Sequence, residues 1–120
     1  MIEKVNVNEK FARFSDCWNP RIAAELNGQH VKLVRLKGEF VWHKHDNEDE
    51  MFYLINGKLQ MHFRDRMVTL TENEFIVVPR GVEHKPVADQ EVLVMLFEPA
   101  TTLNTGNVNS EFTRNTLEKI

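Results

Sequence analysis

Four residues in this chain combine metal-ligating side chains with a spacing that could bring them together: His43, His45, Glu50 and His84. In an extended chain residues i and i+2 project to one face, so His43 and His45 present two imidazoles side by side. Glu50 follows the polar segment Asp46-Asn47-Glu48-Asp49, from where an adjacent antiparallel strand can bring its carboxylate beside them. Pro79-Arg80-Gly81 predicts a turn that swings His84 back over the same sheet. Three imidazoles and one carboxylate form a mixed nitrogen and oxygen set suited to a divalent first-row metal such as Zn, Mn, Fe or Ni. Four protein ligands leave about two octahedral positions for water or a substrate's oxygens.

Strands must position these groups. After Pro20 the apolar residues fall on alternate positions, as in Ile22, Ala24 and Leu26. Asn27-Gly28 supplies the two positive-φ residues of a tight hairpin turn, and Val31 to Leu36 returns as the second strand. Phe40 to His45 reads as a strand, Glu50 to Ile55 as the next, and Asn56-Gly57 as a second hairpin turn. Lys58 to Arg64, Met67 to Leu70, Phe75 to Val78 and Glu91 to Phe97 complete about eight short strands separated by turn signals. No window from 21 to 97 carries a helical period, so the fold expected is all-β, an antiparallel sandwich or barrel. Asn8 to Phe14 predicts a short N-terminal helical segment, with Asn8 as its cap and Phe11 and Phe14 on one face. The Thr- and Asn-rich tail from Pro99 to Ile120 is irregular, and composition leaves open whether it wraps the barrel or hangs free.

The other reactive side chains are weaker candidates. Lys44 lies between two inward histidines and should point outward. Arg80, in a turn, is a better choice than Lys44 or Lys85 for meeting an anionic substrate. Phe52 and Leu54 share the face of Glu50 and should line the pocket with apolar surface, whereas Tyr53 faces away. Trp18 and Trp42 read as core or interface aromatics. His30 and His62 read as surface residues, and Cys17 has no partner that suggests a role.

Composition narrows the functional classes. The 120 residues form one domain, 1–120, large enough to bury a core without disulfides. Fifteen Lys and Arg against eighteen Asp and Glu give a net charge of −3 with no basic block, so no nucleic-acid partner is expected. One cysteine, no apolar signal core and no long apolar run lead us to expect a soluble cytoplasmic domain with no membrane partner.

The spacing of the ligand candidates resembles that of the cupins. Gly38-x4-His43-x-His45-x4-Glu50-x6-Gly57 is similar to the first cupin motif, with four residues instead of the usual five before the first histidine. Pro79-x-Gly81-x2-His84 is similar to the second; Asn73 stands at its usual leading glycine and Ala88 at its usual closing asparagine. Asn tolerates the left-handed turn conformation a glycine would take, and neither departure touches a ligand position. The resemblance covers about residues 30–98 and is to small single-domain bacterial cupins of the mannose-6-phosphate isomerase-like kind. The stretch from Glu98 to Asn107 is also similar to one subgroup of them. The resemblance implies a jelly-roll β-barrel with a divalent metal inside, bound by His43, His45, Glu50 and His84. It implies a small polar metabolite as ligand, and an isomerase-like reaction on a sugar or keto acid as one function. A metal-dependent dioxygenase and a non-catalytic small-molecule-binding protein are the alternatives, since the fold hosts all three. Isomerisation needs a base, and the sequence offers no second inward carboxylate or histidine beyond Glu50. Sheet edges and the apolar Phe11, Phe14, Trp18 and Ile22 predict a homodimer in which the N-terminal segment crosses to the partner.

Overall fold

The hairpin at Asn27-Gly28 forms as its residues require: both adopt left-handed backbone, with φ of 52° and 74°, in the computed structural model of the chain, which describes residues 2–120. It joins β1 (Arg21–Leu26) to β2 (Gln29–Glu39). The remaining strands are β3 (Glu50–Asn56), β4 (Leu59–Phe63), β5 (Met67–Leu70), β6 (Phe75–Val78) and the 16-residue β7 (His84–Pro99). All pairings between them are antiparallel. One layer runs β1-β2-β7-β3-β6, and β4 with β5 forms the other. β2 pairs with β7 from Val87 to Pro99, while β3 pairs with its late part and β4 with its first residues, so this one strand bends across both layers and closes the barrel.

The fold is all-β with one short helix, as the alternation predicts, but four local expectations need correction. The helix α1 spans Val7–Phe11, and its cap is Asn6, not Asn8. Asn6 has the extended backbone a cap needs, and its side chain accepts from the Glu9 amide at 3.0 Å; Asn8 already lies inside the turn. Asn56-Gly57 makes no hairpin, because β3 and β4 do not pair. Only Gly57 has positive φ there, and a Cβ on it would sit 2.6 Å from Val92 Cγ1, so the chain leaves one layer for the other through a corner only glycine fits. Residues 40–45 do not form a regular strand. Phe40 donates to the carbonyl of Pro86, which has no N–H to return, and the register slips one residue before His43 pairs with His84. Seven strands therefore replace the eight expected, with β2 and β7 much lengthened, and β7 begins well before Glu91.

Two apolar clusters hold the layers. Inside the barrel Leu54, Leu59, Met61 and Val94 are fully buried with Phe52, Val34 and Leu36. On the outer face of β2, Phe11 and Phe14 pack on Leu33 of the same chain, so the N-terminal segment covers its own sheet. Asn73, at the usual glycine position, has φ of 66° and its amide donates to Leu54.

The tail is an ordered wrap. Asn107 brackets Lys44, donating to its carbonyl at 3.0 Å and accepting from its amide at 2.9 Å. Gly106 between them has φ of 56°, and a Cβ there would run into the Lys44 carbonyl. Phe112 packs on Phe40 and Trp18 with ring centroids 5.3 and 5.8 Å apart, and the chain ends in a bridge to Ile22 beside β1. No helix among the described residues is long and apolar enough to cross a membrane.

Candidate metal centre

Glu50 opens β3 and His84 opens β7, so both side chains project from strand starts into the barrel. His43 is fixed opposite His84 by two backbone hydrogen bonds, of 3.1 and 2.9 Å. His45 is held by its carbonyl, which accepts from Gly81 at 2.8 Å; the Pro79-Arg80-Gly81 turn thus positions two ligand candidates at once. All four residues are buried, and one ligand atom from each lies within 4.8 Å of all the others. The structure brings together the four residues that the spacing singles out.

Hydrogen bonding sets the imidazole faces. Nδ1 of His43 lies 2.9 Å from the carbonyl of Val41, and Nδ1 of His84 lies 2.9 Å from that of Val82. A carbonyl only accepts, so each Nδ1 carries the proton and each Nε2 turns a lone pair inward. Nε2 of His45 and of His84 each approach Glu50 Oε1 at 3.3 Å. A carboxylate and imidazole lone pairs facing one another repel unless a proton or a cation lies between them. Both ring nitrogens of His45 are buried without a hydrogen-bond partner among the described residues. The donor chemistry and this orphaned imidazole fit a divalent cation. Burial, and then the neighbouring His84, pushes the His43 imidazole down to about 4. Burial alone would push the Glu50 carboxyl up, but a proton shared with the His45 or His84 imidazole at its Oε1 outweighs burial and holds the carboxyl well below its usual range.

A narrow chamber abuts His43 and Glu50, walled by Trp18, Phe40, Phe52, Pro86 and Leu96. Its cavity volume of about 30 Å³ admits roughly two water-sized groups. Trp18 and Phe40 stack at 4.7 Å, and Asn104 reaches in from the tail. Phe52 lines this space as its strand phase predicts; Leu54, on the same face, is wholly core.

Other candidates fall elsewhere. Arg80 is exposed, and its amide and guanidinium both engage Asp49, so it clamps the two ligand loops together and does not face the chamber. Lys44 points outward toward Asp46, and Lys85 pairs with Glu39. Trp42 lies beneath the Arg64 guanidinium at 3.9 Å, and Tyr53 donates to Asn73. Cys17 meets Glu91 on the surface. His30 is not a surface residue: its side chain is only 12% exposed, with Nε2 3.5 Å from Glu25.

A buried ion pair lies outside the spacing pattern of the four ligand candidates. Glu98 on β7 and Lys32 on β2 are both 2% exposed and meet at 3.5 Å. Glu98 thus supplies the second inward carboxylate that the sequence reading lacked. Burial raises its carboxyl well above the ordinary value, the Glu50 charge raises it further, and Lys32 only partly offsets them. The signal was present as phase: Lys32 alternates with inward Val34 and Leu36, and Glu98 with inward Leu96 and Val94. Neither residue lines the chamber.

Residues 32–98 match the cupin domain family. The chain is 48% identical to a cupin-2 domain containing protein from Shewanella frigidimarina, covering 79% of this chain and 93% of that one with a TM-score of 0.78. Protein NMB1881 from Neisseria meningitidis is 29% identical, with 82% of this chain and 100% of that one covered and a TM-score of 0.75. The uncharacterized protein YdbB of Bacillus subtilis is 34% identical over 80 residues, 66% of this chain. That match spans 65% of YdbB, just under two thirds of its length.

Proposed function

The chain belongs to the cupin domain family, and on that premise we propose that His43, His45, Glu50 and His84 would hold a divalent Zn, Mn, Fe or Ni ion, and that a small polar metabolite presenting two adjacent oxygens would bind beside them. The single observation that carries this reading is the buried quartet with inward lone pairs beside a chamber of two-water size. A cation held there supplies Lewis acidity to a carbonyl oxygen or, if redox-active, reactivity toward dioxygen. The chain's residues do the rest. His43 and His84 are locked by the Val41 and Val82 carbonyls, Glu50 brings the negative charge, and Trp18, Phe40 and Phe52 exclude water and receive the apolar part of the ligand.

This lining suits a keto acid better than a sugar, whose hydroxyls would find only Asn104 as a polar partner apart from the ligands. An isomerase-like reaction on such an acid is therefore the form of the original expectation that we retain. A dioxygenase is favoured by one observation: no ionisable group other than His43 and Glu50 lines the chamber, so no separate base is at hand. Oxalate, a two-oxygen probe, should bind Mn(II)-loaded protein and reduce its enhancement of solvent-proton relaxation in a saturable way. Relaxation indifferent to oxalate would contradict the two-oxygen reading.

We infer a homodimer as well, built on a different surface from the expected one. The N-terminal segment packs on its own sheet, whereas β6 is an edge strand with Phe75 and Val77 59% and 51% exposed. Light scattering is expected to give twice the chain mass of 14.1 kDa; the single-chain value would contradict it.

A further inference from the structure

Away from the metal centre, a second cavity of about 300 Å³ lies between the β1–β2 end of the barrel and the C-terminal tail. It shares no lining residue with the chamber or the ligand quartet. Basic groups reach it from separate parts of the chain: His30 and Lys32 from β2, and Arg114 from the tail. No aspartate or glutamate lines it, although acidic residues outnumber basic ones 18 to 15 in the whole chain.

The donors there are under-used. Nδ1 of His30 is buried without a hydrogen-bond partner among the described residues, and Glu25 meets only the other ring nitrogen. Lys32, at the inner end, has two loose contacts of 3.5 Å, to Glu98 and to the Thr102 carbonyl, for three N–H donors. Arg114 meets no carboxylate among the described residues; its Nη1 donates to the carbonyls of Glu111 and Thr113. Asn115 and Thr116, both exposed, form the mouth. Buried donors facing a cavity call for an acceptor, and a planar guanidinium beside an ammonium is a pairing that oxyanions satisfy.

We propose that the cavity between β2 and the tail is a binding site for a small oxyanion, a phosphate or carboxylate group, held by Arg114, Lys32 and His30. It shares no lining residue with the metal centre, to which Lys32 is linked only through Glu98.

The test is titration of ¹⁵N-labelled full chain with inorganic phosphate and, in parallel, with acetate, followed by amide chemical shifts. Saturable shifts at His30, Lys32, Thr102 and residues 114–116 are expected with at least one anion, and which anion saturates tells phosphate from carboxylate chemistry. Arg114→Gln should weaken binding about tenfold, the loss of one charge-assisted contact. Arg114→Lys, which keeps the charge but loses the planar fork, serves if Arg114→Gln disturbs the fold, and should also weaken binding. The His43→Ala variant, impaired at the metal centre, should bind the anion unchanged. Shifts confined to residues 43–50 and 84, loss of binding in His43→Ala, titration of the folded tail variant identical to wild type, or no saturable shift with either anion would each overturn the proposal.

Discussion

Addition of Zn, Mn, Ni or Fe(II) to chelator-treated protein is expected to raise its melting midpoint by roughly 10 °C at pH 7.5. A ligand that binds only the folded chain stabilises it by about 2.7 kcal/mol at one hundred times Kd. In a domain of this length each kcal/mol moves the midpoint by about 4 °C. The response should be smaller at pH 5 and smallest near pH 4, where the His43 imidazole takes up its proton, because imidazoles bind metal only when neutral. The metal-free chain should also depend on pH by itself. His43 titrates near 4 when folded, against about 6.5 when unfolded. Between those values the unfolded chain binds the additional proton, so stability falls as pH drops through the window, by about 3 kcal/mol at its lower end. Above the window this contribution is flat. Glu50→Gln should show a smaller metal response at pH 7.5, since the quartet loses its only anion. Equal stabilisation at both pH values, or none at pH 7.5 with any of the four metals, would contradict the account.

Lys32→Met is the second substitution expected to have a large effect. Lys32 contacts Glu98 directly, and Glu50 is the second carboxylate in the same buried cluster. Removal of one partner of a buried pair leaves an uncompensated charge and costs about 3–5 kcal/mol. The cost should grow with pH, because a protonated Glu98 needs no counter-charge, and its carboxyl is already raised by burial. The double variant Lys32→Met/Glu98→Leu removes both charges and should recover most of the loss. Urea denaturation of the metal-free variants measures this. A single variant within about 0.5 kcal/mol of wild type, or a double variant as unstable as the single, would show that the pair is not coupled as its geometry indicates.

The candidate centre was legible because its ligands lie at short, fixed offsets. His43, His45 and Glu50 fall close together in sequence and the Pro79-Arg80-Gly81 turn sets His84, while the His43–His84 and Gly81–His45 backbone bonds join the two groups and the Val41 and Val82 carbonyls complete the fit. The β1–β2 hairpin was legible for the same reason, since Asn27-Gly28 dictates its own backbone. What failed depends on partners distant in sequence. Residues 40–45 alternate like a strand, but they face Pro86, which cannot return a hydrogen bond. Asn56-Gly57 reads as a hairpin, yet β3 takes β6 and β7 as neighbours, and only the approach to Val92 reveals a corner. The tail has no periodicity because Asn107, Phe112 and Lys119 are held by Lys44, Phe40 and Ile22 instead of by their own neighbours. Lys32 and Glu98 lay on inward phases of apolar strands, but their pairing follows from the β2–β7 register, which no local pattern encodes.

The most direct measurement is the metal content, by mass spectrometry, of tag-free protein purified without chelator. Close to one divalent transition-metal ion per chain is expected in the wild type and in His62→Ala, whose side chain lies outside the quartet. Most of that metal should be lost in folded His43→Ala, His45→Ala and His84→Ala. Full metal retention in these three variants, or equal loss in His62→Ala, would place the ion elsewhere and contradict the central claim.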